Sequence, residues 1–288
     1  AEDGIRDVER SRGLGDVYKR QAEYHYLNDP VPNDSPIGEN EKKLILGGEA
    51  TMWSEYISPE TIDSRIWPRT AAIAERLWSA EDVKDVNDMY RRMGIINLHL
   101  EELGTTHIKN YEMMLRRLAN RYEITPLKNL TDVIEPLKLY NRFLSKKDFK
   151  SYFPLTRVVD AALPESMVAR HFRHLVDEWL EGQKNDSKKY EEIIFLLNLW
   201  KNNHKELIPF IQASPILKEI ESLSSDLSTV ADVGLEAIEY LQNGKKAKLA
   251  WVDEKSEIIK KAEAPRGETE LMILSAIEKL VKKAGAEE

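Results

Sequence analysis

Cysteine is absent from the 288 residues, which excludes disulfides and thiolate metal sites. No run approaches the roughly 18 consecutive apolar residues that a membrane span needs. Excess positive charge is lacking too. The formal net charge is −8, with Lys and Arg interspersed among Asp and Glu, a balance that makes a poor nucleic-acid binder. There is no glycine-rich phosphate loop, no Walker motif and no nucleophile elbow. The histidines, His25, His99, His107, His171, His174 and His204, form no HExxH and no cluster with carboxylates at metal spacing. His171 and His174 lie three apart on one predicted helix but have no evident third ligand, so neither a metal nor another cofactor is expected.

What is present is an ordinary soluble composition, 42% apolar and 32% charged, in a chain long enough for about two domains. Residues 1–21 are highly charged, with scattered glycines and no apolar period. They read as a disordered lead-in or as a non-native stretch resembling a translated sequencing-adaptor read-through. Residues 22–43 are loop-like around Pro30, Pro32 and Pro36. "KLILGG" then predicts a short buried strand at about 44–48, of the kind found in parallel sheets. A helix follows at about 65–78, with Asp63 or Ser64 as its cap and Pro68 in its first turn. Strand, loop and helix make one β/α unit.

From Val86 onward the pattern is helical. Helices are predicted over 86–104 with Gly104 as a C-terminal cap, over 110–122, and near 165–181, 187–204, 215–242 and 268–284. The stretch 124–165 is punctuated by Pro and Asn. Tyr190, Ile193, Leu197 and Trp200 step by three and four. So do Ile220, Leu223, Leu227, Val230, Gly234, Ala237 and Leu241. These stripes predict a helix-on-helix seam, with Gly234 admitting a close neighbour.

Trp53 and Glu55 stand two apart just after the predicted strand. In extended chain such residues point to the same side. An aromatic face beside an anionic acceptor suits a sugar, whose C–H face packs on the ring while the carboxylate takes hydroxyl hydrogen bonds. Packed Trp and exposed Glu is the alternative reading. Glu49, nearer the strand, is expected to be buried and paired with Arg65, Arg69 or Arg76. The acid pairs Asp177-Glu178 and Asp253-Glu254 lie in polar surroundings and read as solvated faces, not as an acid/base pair.

The run "LGGEATMWSEYISPETIDSRIWPRTAAIAERLWS" resembles the last β/α unit of the family 20 glycoside hydrolases, the β-N-acetylhexosaminidases. The matching positions are Gly47, Gly48, Glu49, Trp53, Glu55, Trp67-Pro68-Arg69 and Ala74-Glu75-Arg76-Leu77-Trp78. "HYLNDP" upstream is similar to the loop entering that strand. "TRVVDAALPESMVARHF" is similar to the helical C-terminal region of bacterial members.

The resemblance implies a mainly α chain: a residual β/α unit from the end of a (β/α)8 TIM barrel over 22–104, followed by a helical C-terminal region over 105–288. It implies retaining hydrolysis of terminal β-linked N-acetylglucosamine or N-acetylgalactosamine, with the substrate's acetamido oxygen as nucleophile. Trp53 then resembles the aromatic wall of the sugar pocket, and Glu55 the acceptor for its far-side hydroxyls. The family's catalytic Asp-Glu pair, in a Gly-containing motif ending the fourth strand, has no counterpart in these 288 residues. Inactivity of this chain alone is therefore expected. The implied partners are oligosaccharides or glycoconjugates containing N-acetylhexosamine, and the implied home is periplasmic or secreted. On the residues alone, a helical interaction or scaffold protein is the other reading.

Overall fold

The computed structural model describes residues 21–31, 35–52, 54, 56–138, 141–145, 154–182 and 186–285. Helix dominates, in two units, Ala1–Tyr111 and Glu112–Glu288.

In the first unit, α1 (Ala22–Leu27) and α2 (Glu39–Lys42) are short. They precede α3 (Ile62–Ile66), α4 (Arg69–Trp78) and α5 (Val86–Glu102), and α6 (His107–Ala119) runs across the boundary between the units. Helices α1, α4 and α5 pack on one another around Ala22, Tyr26, Ala72, Met89, Tyr90 and Met93. Within α5 the buried Met89, Tyr90, Met93 and Leu100 recur at the three- and four-residue spacing of one helix face. Asp85 caps it, accepting from Asp88 N, and Gly104 beyond its end has φ +89°.

Two expectations for this unit fail. The strand at 44–48 is not formed: Lys43 and Leu44 turn, and residues 45–50 have no regular structure. A parallel strand takes its hydrogen bonds from neighbours on both sides, and the strand pairing among the described residues is confined to the second unit. Leu44 and Leu46 are consequently 78% and 99% exposed. The helix at 65–78 is split. α3 ends in extended Trp67, and α4 restarts after Pro68, which has no N–H to continue the first ladder. Neither Asp63 nor Ser64 is the cap; Thr61 holds that position.

The second unit contains α7 (Thr125–Thr131), β1 (Ile134–Pro136), α8 (Asn141–Leu144), α9 (Val158–Ala161), α10 (Met167–Glu181) and α11 (Ser187–Ala213). A 3-10 turn (Pro215–Ile220) leads into α12 (Glu221–Gln242), followed by α13 (Leu249–Ala262), β2 (Thr269–Leu271) and α14 (Leu274–Gly285). The predicted seam is present: Ile193, Leu197 and Trp200 of α11 and Leu223, Leu227, Val230 and Ala237 of α12 are buried where the two helices pack. A Cβ on Gly234 would stand 2.8 Å from Ile277 Cδ1 and 3.0 Å from Leu197 Cδ2, so glycine is what lets α11 and α14 close on α12.

Three features differ from the periodicity. α11 continues nine residues beyond 204, through Pro209, held by buried Leu207, Phe210 and Ile211. The segment 249–262, too charged to show a clear stripe, is a helix. The start of the predicted 268–284 helix is β2, which pairs antiparallel with β1 in the register Ile134–Leu271, Glu135–Glu270 and Pro136–Thr269. A buried ionic network closes this region. Arg142 donates to Asp160 (2.5 Å) and Glu268 (2.9 Å), and Arg157 to Glu219 (2.5 Å) and Glu268. Removing one partner from such a network strands a charge out of water, so it fixes the β2 turn to α8 and α9.

Candidate functional site

Trp53 and Glu55, the two residues singled out for sugar contact, lie outside the described residues. Their flanks are anchored. On one side Ala50 packs against Ile73 of α4. On the other, Tyr56 is 7% exposed, and Ser58 N donates to Thr61 Oγ1 at 2.9 Å while Thr61 N donates back to Ser58 O at 3.0 Å. That reciprocal turn fixes the chain immediately after Glu55 and delivers it into α3.

The motif residues on α4 are held by packing and hydrogen bonds that the sequence did not specify. Glu75 Oε1 accepts from Tyr26 Oη of α1 at 2.9 Å, and its Oε2 from Arg92 Nε of α5 at 3.2 Å. One carboxylate thus ties three helices. Partial burial pushes its pKa up, but the hydrogen bonds from Arg92 and Tyr26, with the charges of Arg92 and Arg76, outweigh this and hold it below the ordinary glutamate value. Arg76 donates to Val83 O (2.8 Å), Ala80 O (2.6 Å) and Ser79 O (3.3 Å), closing the carbonyls after α4. Its guanidinium also lies over the Tyr26 ring at 5.7 Å. Arg69 Nη2 donates to Arg65 O at 2.5 Å, bracing α4 on α3 across the Trp67-Pro68 break.

Glu49 is a correction. It is exposed, whereas Arg65, Arg69 and Arg76 are each 2% exposed. The expected burial needed a strand to carry Glu49 into the interior, and the irregular chain at 45–50 leaves it in water.

Elsewhere the polar candidates are surface pairs. Asp177 meets Lys279 at 2.6 Å, Glu178 meets Lys189 at 3.1 Å, and Glu254 meets Lys255 at 3.5 Å. His171 pairs with Glu192 across α10 and α11 at 2.7 Å. Among the described residues no group of three His, Asp or Glu side chains is placed to hold a metal ion, and no helix is long and apolar enough to cross a membrane.

The family profile described as "Glycosyl hydrolase family 20, catalytic domain" matches residues 6–81, beginning inside the stretch 1–21 that the sequence reading set apart. The beta-hexosaminidase subunit beta of Sus scrofa is 47% identical over 73 residues, 25% of this chain and 14% of the relative. The human subunit beta is 46% identical over 87 residues, 30% of this chain and 15% of the relative. The chain therefore spans about one-seventh of the curated relatives it matches. Among solved structures, the Flavobacterium johnsoniae chitobiase aligns with a TM-score of 0.83 at 36% identity, over 93% of this chain and 40% of that one. This last similarity takes in the helical second unit as well as the motif run. By sequence motif, by family profile over residues 6–81 and by structure, the chain is similar to the family 20 glycoside hydrolases.

Proposed function

We propose that this chain is part of a β-N-acetylhexosaminidase, in which residues 22–104 complete a (β/α)8 barrel and the residues after 104 form a helical region that follows it. The enzyme removes terminal β-linked N-acetylglucosamine or N-acetylgalactosamine with retention, the substrate's acetamido oxygen acting as nucleophile. Trp53 forms an aromatic wall of the sugar pocket. Glu55 accepts hydrogen bonds from the far-side hydroxyls of the terminal sugar. These 288 residues supply that wall but no general acid and no acetamido-orienting Asp, so they do not turn over substrate by themselves.

The observation that carries the reading is the run from Gly47 to Trp78, which the family profile also covers. The exposed Leu44, Ile45 and Leu46 support the barrel part: an apolar run with no cover is what a central strand presents when its neighbours are not beside it.

Two assays test it. Purified 288-residue chain is expected to release no nitrophenol from nitrophenyl N-acetylglucosaminide, and measurable release overturns the inactivity. In the gene product that carries this chain together with a Gly-x-Asp-Glu motif, Glu55→Gln is expected to lower kcat/KM by roughly 10- to 100-fold, the loss of hydrogen bonds to a charged acceptor. An unchanged kcat/KM removes Glu55 from the pocket.

A further inference from the structure

The α12–α13 corner of the second unit holds an open cleft of about 610 Å³ lined by Tyr240, Lys245, Lys246, Lys248, Trp251 and Glu254. That volume lies within the range of small-ligand sites. Lys245, Lys246 and Lys248 are exposed and take part in no ion pair among the described residues, although the chain as a whole is acidic. Elsewhere in the same unit lysines meet carboxylates, as Lys201 does Asp232 (2.6 Å) and Lys279 does Asp177 (2.6 Å). Three neighbouring lysines left unneutralised at one concave corner make a local positive potential. Lys248 is also the N-cap of α13, a 14-residue helix whose first turn no side chain caps, so its amide dipoles add to that potential.

The aromatic side of the cleft is built, not incidental. The Tyr240 and Trp251 rings lie 4.9 Å apart at 59°. Trp251 Nε1 donates to Glu236 Oε2 at 3.0 Å, and Lys255 Nζ meets the same carboxylate at 2.9 Å. Both rings stay half-buried, held in place with apolar surface at the cleft. Glu254 on the rim decides between ligand classes. A carboxylate there disfavours a bare, densely charged anion, yet accepts hydrogen bonds from hydroxyls.

We propose that this cleft binds an acidic sugar, a pyranose carrying a sulfate or a carboxylate. The lysines take the anionic group, Glu254 the hydroxyls, and the Tyr240–Trp251 pair the apolar ring face. The inference uses none of the residues in the 47–78 motif, so it stands or falls separately from the catalytic reading.

The test is NMR of the full 288-residue chain with 15N-labelled tryptophan, the Trp251 indole signal being assigned with Trp251→Phe. Glucose 6-sulfate is expected to shift that signal saturably. Glucose and inorganic sulfate, each tested alone, are expected to bind at least about tenfold more weakly. Lys246→Ala with Lys248→Ala, both at exposed positions, is expected to weaken glucose 6-sulfate by about tenfold or more, and the paired Lys→Arg changes to retain it. The proposal is overturned if inorganic sulfate matches the sugar sulfate, if adenosine monophosphate binds more tightly, if the double alanine variant binds as before, or if no probe moves the signal.

Discussion

Asp63 caps a helix that is not its own. Its Oδ2 accepts from both the backbone N (2.7 Å) and the hydroxyl (2.9 Å) of Thr106, the residue immediately before α6. Asn110 reinforces the join, donating to Glu60 O at 2.9 Å. The short helix α3 is thereby tied to the start of α6, forty-three residues later.

Asp63→Ala is expected to destabilise the first unit by about 1 kcal/mol, the usual worth of an N-cap, and Asp63→Asn by less, since Asn caps nearly as well. Urea unfolding followed with hydrogen exchange of the 107–110 amides checks this. Equal protection in wild type and Asp63→Ala would discard the capping role.

Acid is expected to weaken the same unit in two stages. Burial pushes His107 below its ordinary value, against the opposing charges of Asp63 and Glu101, so the folded state favours the neutral ring. The unfolded chain therefore takes up the proton first, and stability falls as pH drops below about 6.5. The Glu75 carboxyl is held low on balance, so its contribution is present above the ordinary carboxylate range and is lost as pH falls through its folded value. Melting curves between neutral pH and about pH 2 should show both stages, and His107→Asn should abolish the upper one. A Tm that stays flat from pH 7 to 5.5 in wild type contradicts the account.

Gly234→Ala gains about 1 kcal/mol of helix propensity but sets a methyl against Ile277 and Leu197 in a closed core. Overpacking typically costs about 1–3 kcal/mol, so a net loss of up to about 2 kcal/mol is expected. Ile277→Val in the Gly234→Ala background should recover part of that loss in denaturant titrations. A double variant no more stable than Gly234→Ala would show that the contact is not the cause.

Glu270 faces Glu135 directly across the β1–β2 pair. Burial first, then the Glu135 charge, raises the Glu270 carboxyl above its ordinary value, with Lys138 opposing. A raised carboxyl contributes stability below its unfolded value and loses it as pH rises through the folded one. Glu270→Gln is accordingly expected to raise Tm at neutral pH, with the advantage vanishing near pH 4. A lower Tm at pH 7 would mean that Glu270 makes a favourable charged contact.

The helical second unit was legible because its signal is local. Ile193, Leu197, Trp200 and the stripe from Ile220 to Leu241 announce their faces by spacing, and burial follows it. The 249–262 helix was not, since its lysines and glutamates mask the period. The strand at 44–48 misled for the opposite reason. Its composition is that of a buried strand, but a strand exists only with neighbours to bond.

By themselves, the residues carried the resemblance to the family 20 glycoside hydrolases, through the motif run from Gly47 to Trp78, and determined the helix seam, through its periodicity. Only the tertiary structure decided what individual charges do. It left Glu49 in water, made Glu75 the tie between three helices, and turned Asp63 toward Thr106. The reason is physical: apolar periodicity acts between near neighbours in sequence. A charge takes its role from whichever partner the fold brings within about 3 Å, often dozens of residues away.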